Sequence, residues 1–400
     1  MEFLQHFLPG QPLEKNNQIS GGLNFVASRD ARNDSRLTLG IDTEIARGEL
    51  DEFQDGPTEG SAFLMEKRPE GQHYDYSFIS YLVAGYADWV VPLNQTWELS
   101  VAARAEYLLY DYDNKMLDGN TRYDGTPCGF GGCLYARPAD RTDSFLNVSP
   151  NIGVRGIIDA NTIFFANFAT GFRAPQATEL YRLQAQQNVS EIDSESIISV
   201  ELGVRHTGSN YNYEVTTFVL DKSDYILRNS DNLNISNGKS SHIGVEATFD
   251  WQIDDNWYFD IAASFTQHEY RFSSDAALGE VITKGNEVDT APPLLASSRI
   301  GYDFGRGNVE AEWVHNDDYY MNAANTATYP GHDLINLRGF IEITPEWTFA
   351  LRLNNVTDEF YADRADILSV TDPITFRYFP GRSRELFAEI TWRRDQPLAR

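Results

Sequence analysis

The chain has 400 residues, with 24 Phe, 21 Tyr and 7 Trp against only 4 Met and 2 Cys, and a formal net charge of −27 at pH 7. That acidity excludes a nucleic-acid binder, whose phosphate contacts need clustered Lys and Arg; it reads as solubility, or as a solvated lumen and loops, rather than as cation capture. No run approaches the roughly 18 consecutive apolar residues of a membrane-spanning helix, whereas a transmembrane barrel shows lipid only every second residue and escapes that test.

Residues 1–9 lack the basic start, apolar stretch and small-residue cleavage site of an exported chain, so the expectation is a protein that is not exported or whose natural beginning is missing. Beyond them, period-two alternation recurs. In 97–107, Trp97, Leu99, Val101, Ala103, Ala105 and Tyr107 oppose Glu98, Ser100, Arg104 and Glu106. In 197–205, Ile198, Val200, Leu202 and Val204 oppose Ser199, Glu201, Gly203 and Arg205. The stretches 243–251 and 347–354 repeat the pattern with Ile243, Val245, Ala247, Phe249 and Trp251, and with Trp347, Phe349, Leu351 and Leu353.

A soluble sandwich also alternates, but two features favour a membrane barrel. Apolar faces begin on an aromatic residue at the turn (Trp97, Trp257, Trp347), as in an interfacial girdle. Connections also alternate strictly between short ones (94–96, 159–161, 207–210, 254–256, 305–307, 344–346) and long ones (near 110–143, 171–194, 271–291, 319–331, 359–383). Outer-membrane barrels have short periplasmic turns and long external loops.

The pattern predicts an all-β fold, an antiparallel transmembrane β-barrel of about fifteen strands over 17–393. Residues 1–16 are expected as part of an extracellular loop and 394–400 as a periplasmic tail. Even strand numbers are the rule in complete bacterial barrels, so the odd count implies a portion of a barrel of about 22 strands with a plugged lumen.

The stretch 167–181 holds Gly171-Phe172-Arg173-Ala174-Pro175 followed by Glu179-Leu180; it resembles the TonB-dependent receptor motif that closes a strand. Further similar steps follow in family order: 200–205, 221–226, Asn237 with Gly244-Val245-Glu246, the run 353–361 with Asn354, Asn355, Asp358 and Tyr361, and Pro380-Gly381-Arg382 before the final strand. Together they cover about 150–393, with 1–149 supported mainly by alternation. The resemblance implies an outer-membrane receptor for a ferric siderophore or similar chelate, set in outer-membrane lipid and placed there by the barrel-assembly machinery. It also implies an amino-terminal plug that contacts the TonB complex; neither plug nor coupling box is in this sequence. The family usually ends on an aromatic residue, whereas Trp392 is followed by 393–400. Heme receptors of the family typically carry a His after the Phe-Arg-Ala-Pro motif, and 176–201 has none, so heme is disfavoured.

Arg173 offers fixed bidentate donors to an anionic chelate, although a fold-determining contact at the strand end is the favoured reading. Trp313, His315, Tyr319 and Tyr320 lie on or beside an outward strand, where rings stack on a chelate or belong to the interfacial girdle. Cys128 and Cys133 in a long loop are expected to form a disulfide, the alternative being a two-thiolate metal site that no nearby His or Cys completes. No nucleophile, base and orienter can be assembled, so no enzyme, cofactor or metal site is expected. A passive porin, a soluble all-β binding module and a non-functional fragment are the competing readings.

Overall fold

The computed structural model describes residues 1–393 apart from 7, 32, 130, 185, 186, 188, 230–232, 277, 278 and 370–373; the expected tail 394–400 lies outside the described residues. Sixteen strands form one antiparallel sheet in which chain neighbours are also sheet neighbours. They are β1 Glu2–Leu4, β2 Leu13–Asp30, β3 Arg36–Gln54, β4 Gly71–Pro92, β5 Trp97–Asn114, β6 Arg141–Ile157, β7 Thr162–Arg173 and β8 Glu195–Thr207. The second half continues with β9 Tyr211–Arg228, β10 Asn234–Gln252, β11 Trp257–Tyr270, β12 Leu294–Asp303, β13 Gly307–Asn316, β14 His332–Thr344, β15 Trp347–Asn354 and β16 Glu385–Trp392. Among the described residues the first and last strands do not pair with each other, so the sheet keeps two edges.

Apart from the three-residue β1, the strands have between 8 and 22 residues and run from Leu13 to Trp392. Residues 1–16, expected as loop, instead contribute β1 and the start of β2, with Glu2 paired to Lys15 and Leu4 to Leu13. The polar sequence Glu14-Lys15-Asn16-Asn17 hides this strand from an alternation test, because both of its faces meet water or loop rather than lipid. The strict alternation of links also has an exception: only residues 229–233 separate β9 and β10, which have 18 and 19 residues. Crossing a bilayer takes about 9–11 tilted residues, so β3 with 19 and β4 with 22 rise well beyond it.

The two faces of the sheet differ as the sequence dictates. Along the apolar face Leu23 is 80% exposed, Leu146 71% and Ile390 65%. A soluble sandwich would bury these rows against a second sheet; among the described residues the only other sheets are four two-stranded ones. At the short-turn end, rings on this face cluster: Trp257 with Tyr302, Trp97 with Phe164 and Trp347 with Trp392, at centroid separations of 4.9, 6.3 and 6.5 Å.

On the polar face, aromatic rings lie flat over glycines directly across the strand pair. Tyr86 covers Gly40, Phe78 covers Gly48, Phe165 covers Gly203, Phe218 covers Gly244 and Tyr258 covers Gly301. A Cβ at any of these glycines would stand within 2.6 Å of the ring. Ring and glycine thereby pin the register and leave the face low in relief.

Candidate functional site

The polar face neutralises its own arginines. Arg104 on β5 bonds Asp42 on β3 and lies 3.0 Å from Glu106; Arg155 meets Glu98 at 3.3 Å, Arg299 meets Asp260 at 2.9 Å, and Arg338 bonds Glu310. Charge-assisted bonds of this kind tie strands together, across an intervening strand in the case of Arg104 and Asp42, and occupy donors that would otherwise face an anion.

Above this wall the long loops fold on one another. Two short helices, α1 Ala62–Lys67 and α2 Ala177–Tyr181, lie in these loops, and α2 packs Leu180 and Tyr181 into a buried cluster with Leu50, Tyr74, Tyr76, Tyr112, Tyr135 and Ile192. Tyr181 stacks on Tyr112 at 4.1 Å. Beside it Glu52, on the part of β3 outside the lipid band, accepts from Arg182, and His73 Nδ1 lies 3.0 Å away. Burial pushes the Glu52 carboxyl up, but the bond to His73 and the charge of Arg182 outweigh it and hold it below the usual carboxylate range. Arg137, buried, donates to the carbonyls of Leu117, His73 and Thr121 at 2.8, 3.2 and 2.8 Å. Its loop tip is closed by the Cys128–Cys133 disulfide. A recess of about 650 Å³ remains between α2 and the wall, lined among others by Glu44, Glu49, Phe78, Tyr110, Gln176 and Thr178. Nothing in the sequence singled out this recess, because its lining comes from five separate segments.

The motif around Arg173 is a clamp. Arg173 donates from Nε to Glu195 at 2.9 Å and from both terminal nitrogens to Glu179 at 2.9 and 3.0 Å, while Glu179 also accepts from the Gln176 N–H at 2.7 Å. The guanidinium is thus spent on the protein's own carboxylates, joining the end of β7 to the start of β8 and to the capping box of α2. Pro175 is buried at the turn between them, preceded by Ala174; Phe172 pairs with Ser196, and Gly171 has open space where a Cβ would sit.

The second motif is a loop closure. Asn355, at φ +48°, donates to the carbonyls of Glu359 and Arg382 at 2.9 and 3.2 Å. Asp358, at φ +57°, accepts from the Arg384 N–H at 2.9 Å. Gly381, following Pro380, lets the Tyr361 ring approach within 2.2 Å of the place of a Cβ. Asn354 pairs with Glu385.

The remaining candidates for ligand contact do not gather at the mouth. Trp313 and His315 share the parity of Val309 and Ala311, whose partners Tyr302 and Ile300 lie on the apolar face. Both bond Asp333, at 2.8 and 2.9 Å, as an outward-facing trio. Tyr319 is buried against Tyr329 and its hydroxyl accepts from the Ala365 N–H at 2.8 Å; Tyr320 sits beside it, paired with Thr328. Strand parity thus turns Trp313 and His315 outward, where the girdle reading puts them, and loop packing buries Tyr319.

The family model described as TonB dependent receptor-like, beta-barrel matches residues 5–356. The chain belongs to that family. No curated protein matches it in sequence. Solved TonB-dependent receptors and related transporters share the fold. The ferric yersiniabactin uptake receptor FyuA from Yersinia pestis superposes with a TM-score of 0.70 at 16% identity, over 95% of this chain and 54% of that one. The siderophore receptor PiuA from Acinetobacter baumannii gives 0.71 at 14%, over 95% and 56%, and the copper transporter OprC 0.71 at 15%, over 95% and 59%. The receptor barrel here thus spans little more than half the length of these solved proteins. Its polar face corresponds to the lumen and its apolar face to the outside of the barrel.

Proposed function

We propose that this receptor barrel serves the uptake of a ferric siderophore or similar metal chelate across the outer membrane of a Gram-negative bacterium. The supporting observation is the family match over 5–356. A polar lumen wall under a compact layer of outer loops is consistent with a gated pathway rather than an open one. The cargo would meet the recess beneath α2, where amides, carboxylates and the rings of Phe78 and Tyr110 are presented. Release inward would need a plug pulled by the TonB complex. Barrel-assembly machinery and outer-membrane lipid complete the partners, and no reaction is catalysed.

The test is radio-iron uptake by cells with and without the gene, loaded with a panel of ferric chelates, in the presence and absence of an uncoupler. Energy-dependent uptake of one chelate, lost with the gene, is expected. Uncoupler-insensitive passage of unrelated small solutes through the purified protein in vesicles would instead identify a passive porin.

A further inference from the structure

One cluster on the lumen wall is used neither by the ion pairs nor by the loop layer. His242 on β10 and His268 on β11 are directly opposite each other. Both lie on the lumen side, since His242 alternates with the outward Ile243 and His268 shares the parity of buried Thr266. Their Nδ1 atoms are 2.7 Å apart, and Ser240 Oγ is 2.9 Å from His242 Nε2. The pair sits two rungs below Ser240 and Tyr270, where the outer loops begin to close over the lumen.

We infer that His242 and His268 form a bidentate site on the lumen wall for a divalent transition-metal ion that prefers square-planar coordination, Cu(II) or Ni(II). Two imidazole nitrogens bound at about 2.0 Å stand about 2.8 Å apart when they subtend a right angle and about 3.3 Å apart in a tetrahedron. The observed 2.7 Å needs almost no change of separation for the first geometry, the two rings turning so that both lone pairs converge on the ion, and a clear widening for the second. With Ser240 accepting from Nε2–H of His242, that ring presents its Nδ1 lone pair, the outer partner fixing the tautomer. His268 then holds the proton between the two Nδ1 atoms. Metal entry moves that proton to His268 Nε2 through solvent, so no net proton is released and nothing is oxidised or reduced.

Among the described residues no third His, Cys, Asp or Glu completes a coordination set. The remaining positions therefore belong to water or to donors of an incoming chelate. Lys222, the nearby cation, is drawn to Glu195 at 3.2 Å, which tempers its repulsion. This inference goes beyond the proposed uptake and does not need it, because the site is read on the purified chain.

The test is Cu(II) titration of the full chain folded in detergent, followed by calorimetry and by electron paramagnetic resonance, which counts equatorial nitrogens. The wild type is expected to show a signal with two imidazole nitrogens. His242→Asn and His268→Gln should each lose one nitrogen and weaken binding about tenfold or more, with Trp emission and heat-modifiable gel migration unchanged. Ni(II) should compete with Cu(II) more effectively than Zn(II) does. Identical spectra and affinities in wild type and folded variants would overturn the inference. Should either variant misfold, a wild-type chain that leaves Cu(II) with its aqueous signal overturns it as well.

Discussion

Gly203 on β8 stands directly opposite Phe165 on β7, and a Cβ at position 203 would lie 2.2 Å from the ring's Cζ. The glycine of the stretch 200–205 is therefore a seat for a ring. Gly203→Ala must tip Phe165 into the lumen, an overpacking cost of about 1–3 kcal/mol. Combined with Phe165→Ala, the alanine at 203 should cost much less. Urea unfolding of the four variants in detergent measures the coupling; strictly additive losses would remove the seat from the argument.

The clamp at Arg173 gives a different signature. Glu195 has a side chain only 9% exposed and shares Arg173 with Glu179. Arg173→Ala strands those carboxylates with Lys222 as the remaining cation on Glu195. Because Arg173 itself is 38% exposed, the loss is set at about 2 kcal/mol rather than the larger figure for fully buried pairs. Arg173→Lys should recover only part of it, since one ammonium cannot serve two carboxylates bidentately. Equal unfolding midpoints for wild type and Arg173→Ala would refute the clamp.

These two cases show what the sequence discloses. Alternation at 97–107 and 197–205 is read directly, because each side chain's face is set by parity alone. The polar start of β2 is missed for the same reason: where neither face meets lipid there is no contrast to detect. Parity also turns Trp313 and His315 outward, but seeing it requires the register with Ser298 and Ala296, which pairing across strands establishes. The recess under α2 and the His242–His268 pair join residues far apart in the chain or on separate strands, and no local pattern announces them.

The loop layer should respond to acid. Glu52 has its carboxyl lowered in the folded state, so the stability it contributes is complete above the ordinary carboxylate value of about 4.3 and is lost as pH falls through the lowered value. Hydrogen exchange at the short strand pair of Tyr135–Ala136 with Leu183–Gln184 should therefore accelerate below about pH 4 while the lipid-facing strands stay protected. Glu52→Gln should loosen this strand pair at neutral pH and flatten its acid response. An unchanged acid response in that variant would place the titrating group elsewhere.

Two devices hold the loop over 115–140, and they differ in weight. The disulfide spans five positions in sequence, so in a chain-entropy account its closure is worth about 2 kcal/mol against the unfolded chain. Arg137 binds three carbonyls from two segments while only 2% exposed, and its removal leaves buried acceptors without a donor, at about 1–3 kcal/mol each. Reduction should thus loosen only the tip, whereas Arg137→Ala should expose the whole layer to protease. Limited proteolysis of both forms distinguishes them; a larger effect of reduction would reverse the assignment.

The orientation of the two faces is open to the most direct test. Val148 on β6 is 61% exposed on the apolar face opposite Ala105, while its neighbour Asn147 lies opposite Glu106 on the polar one. A lysine at a lipid-facing position near mid-bilayer costs about 2–4 kcal/mol. One residue away it replaces a half-buried amide on the polar face, where the carboxylate of Glu106 stands opposite, and should cost clearly less than in hydrocarbon. Val148→Lys is therefore expected to slow and weaken folding into lipid vesicles well beyond the effect of Asn147→Lys. The same two variants should be indistinguishable in a protein whose strands are surrounded by water on both sides, because neither ammonium would then lose its hydration. Equal folding yields in vesicles would thus remove hydrocarbon from the apolar face, and with it the reason for a chain of this acidity to show so many Leu, Ile and Val side chains outward.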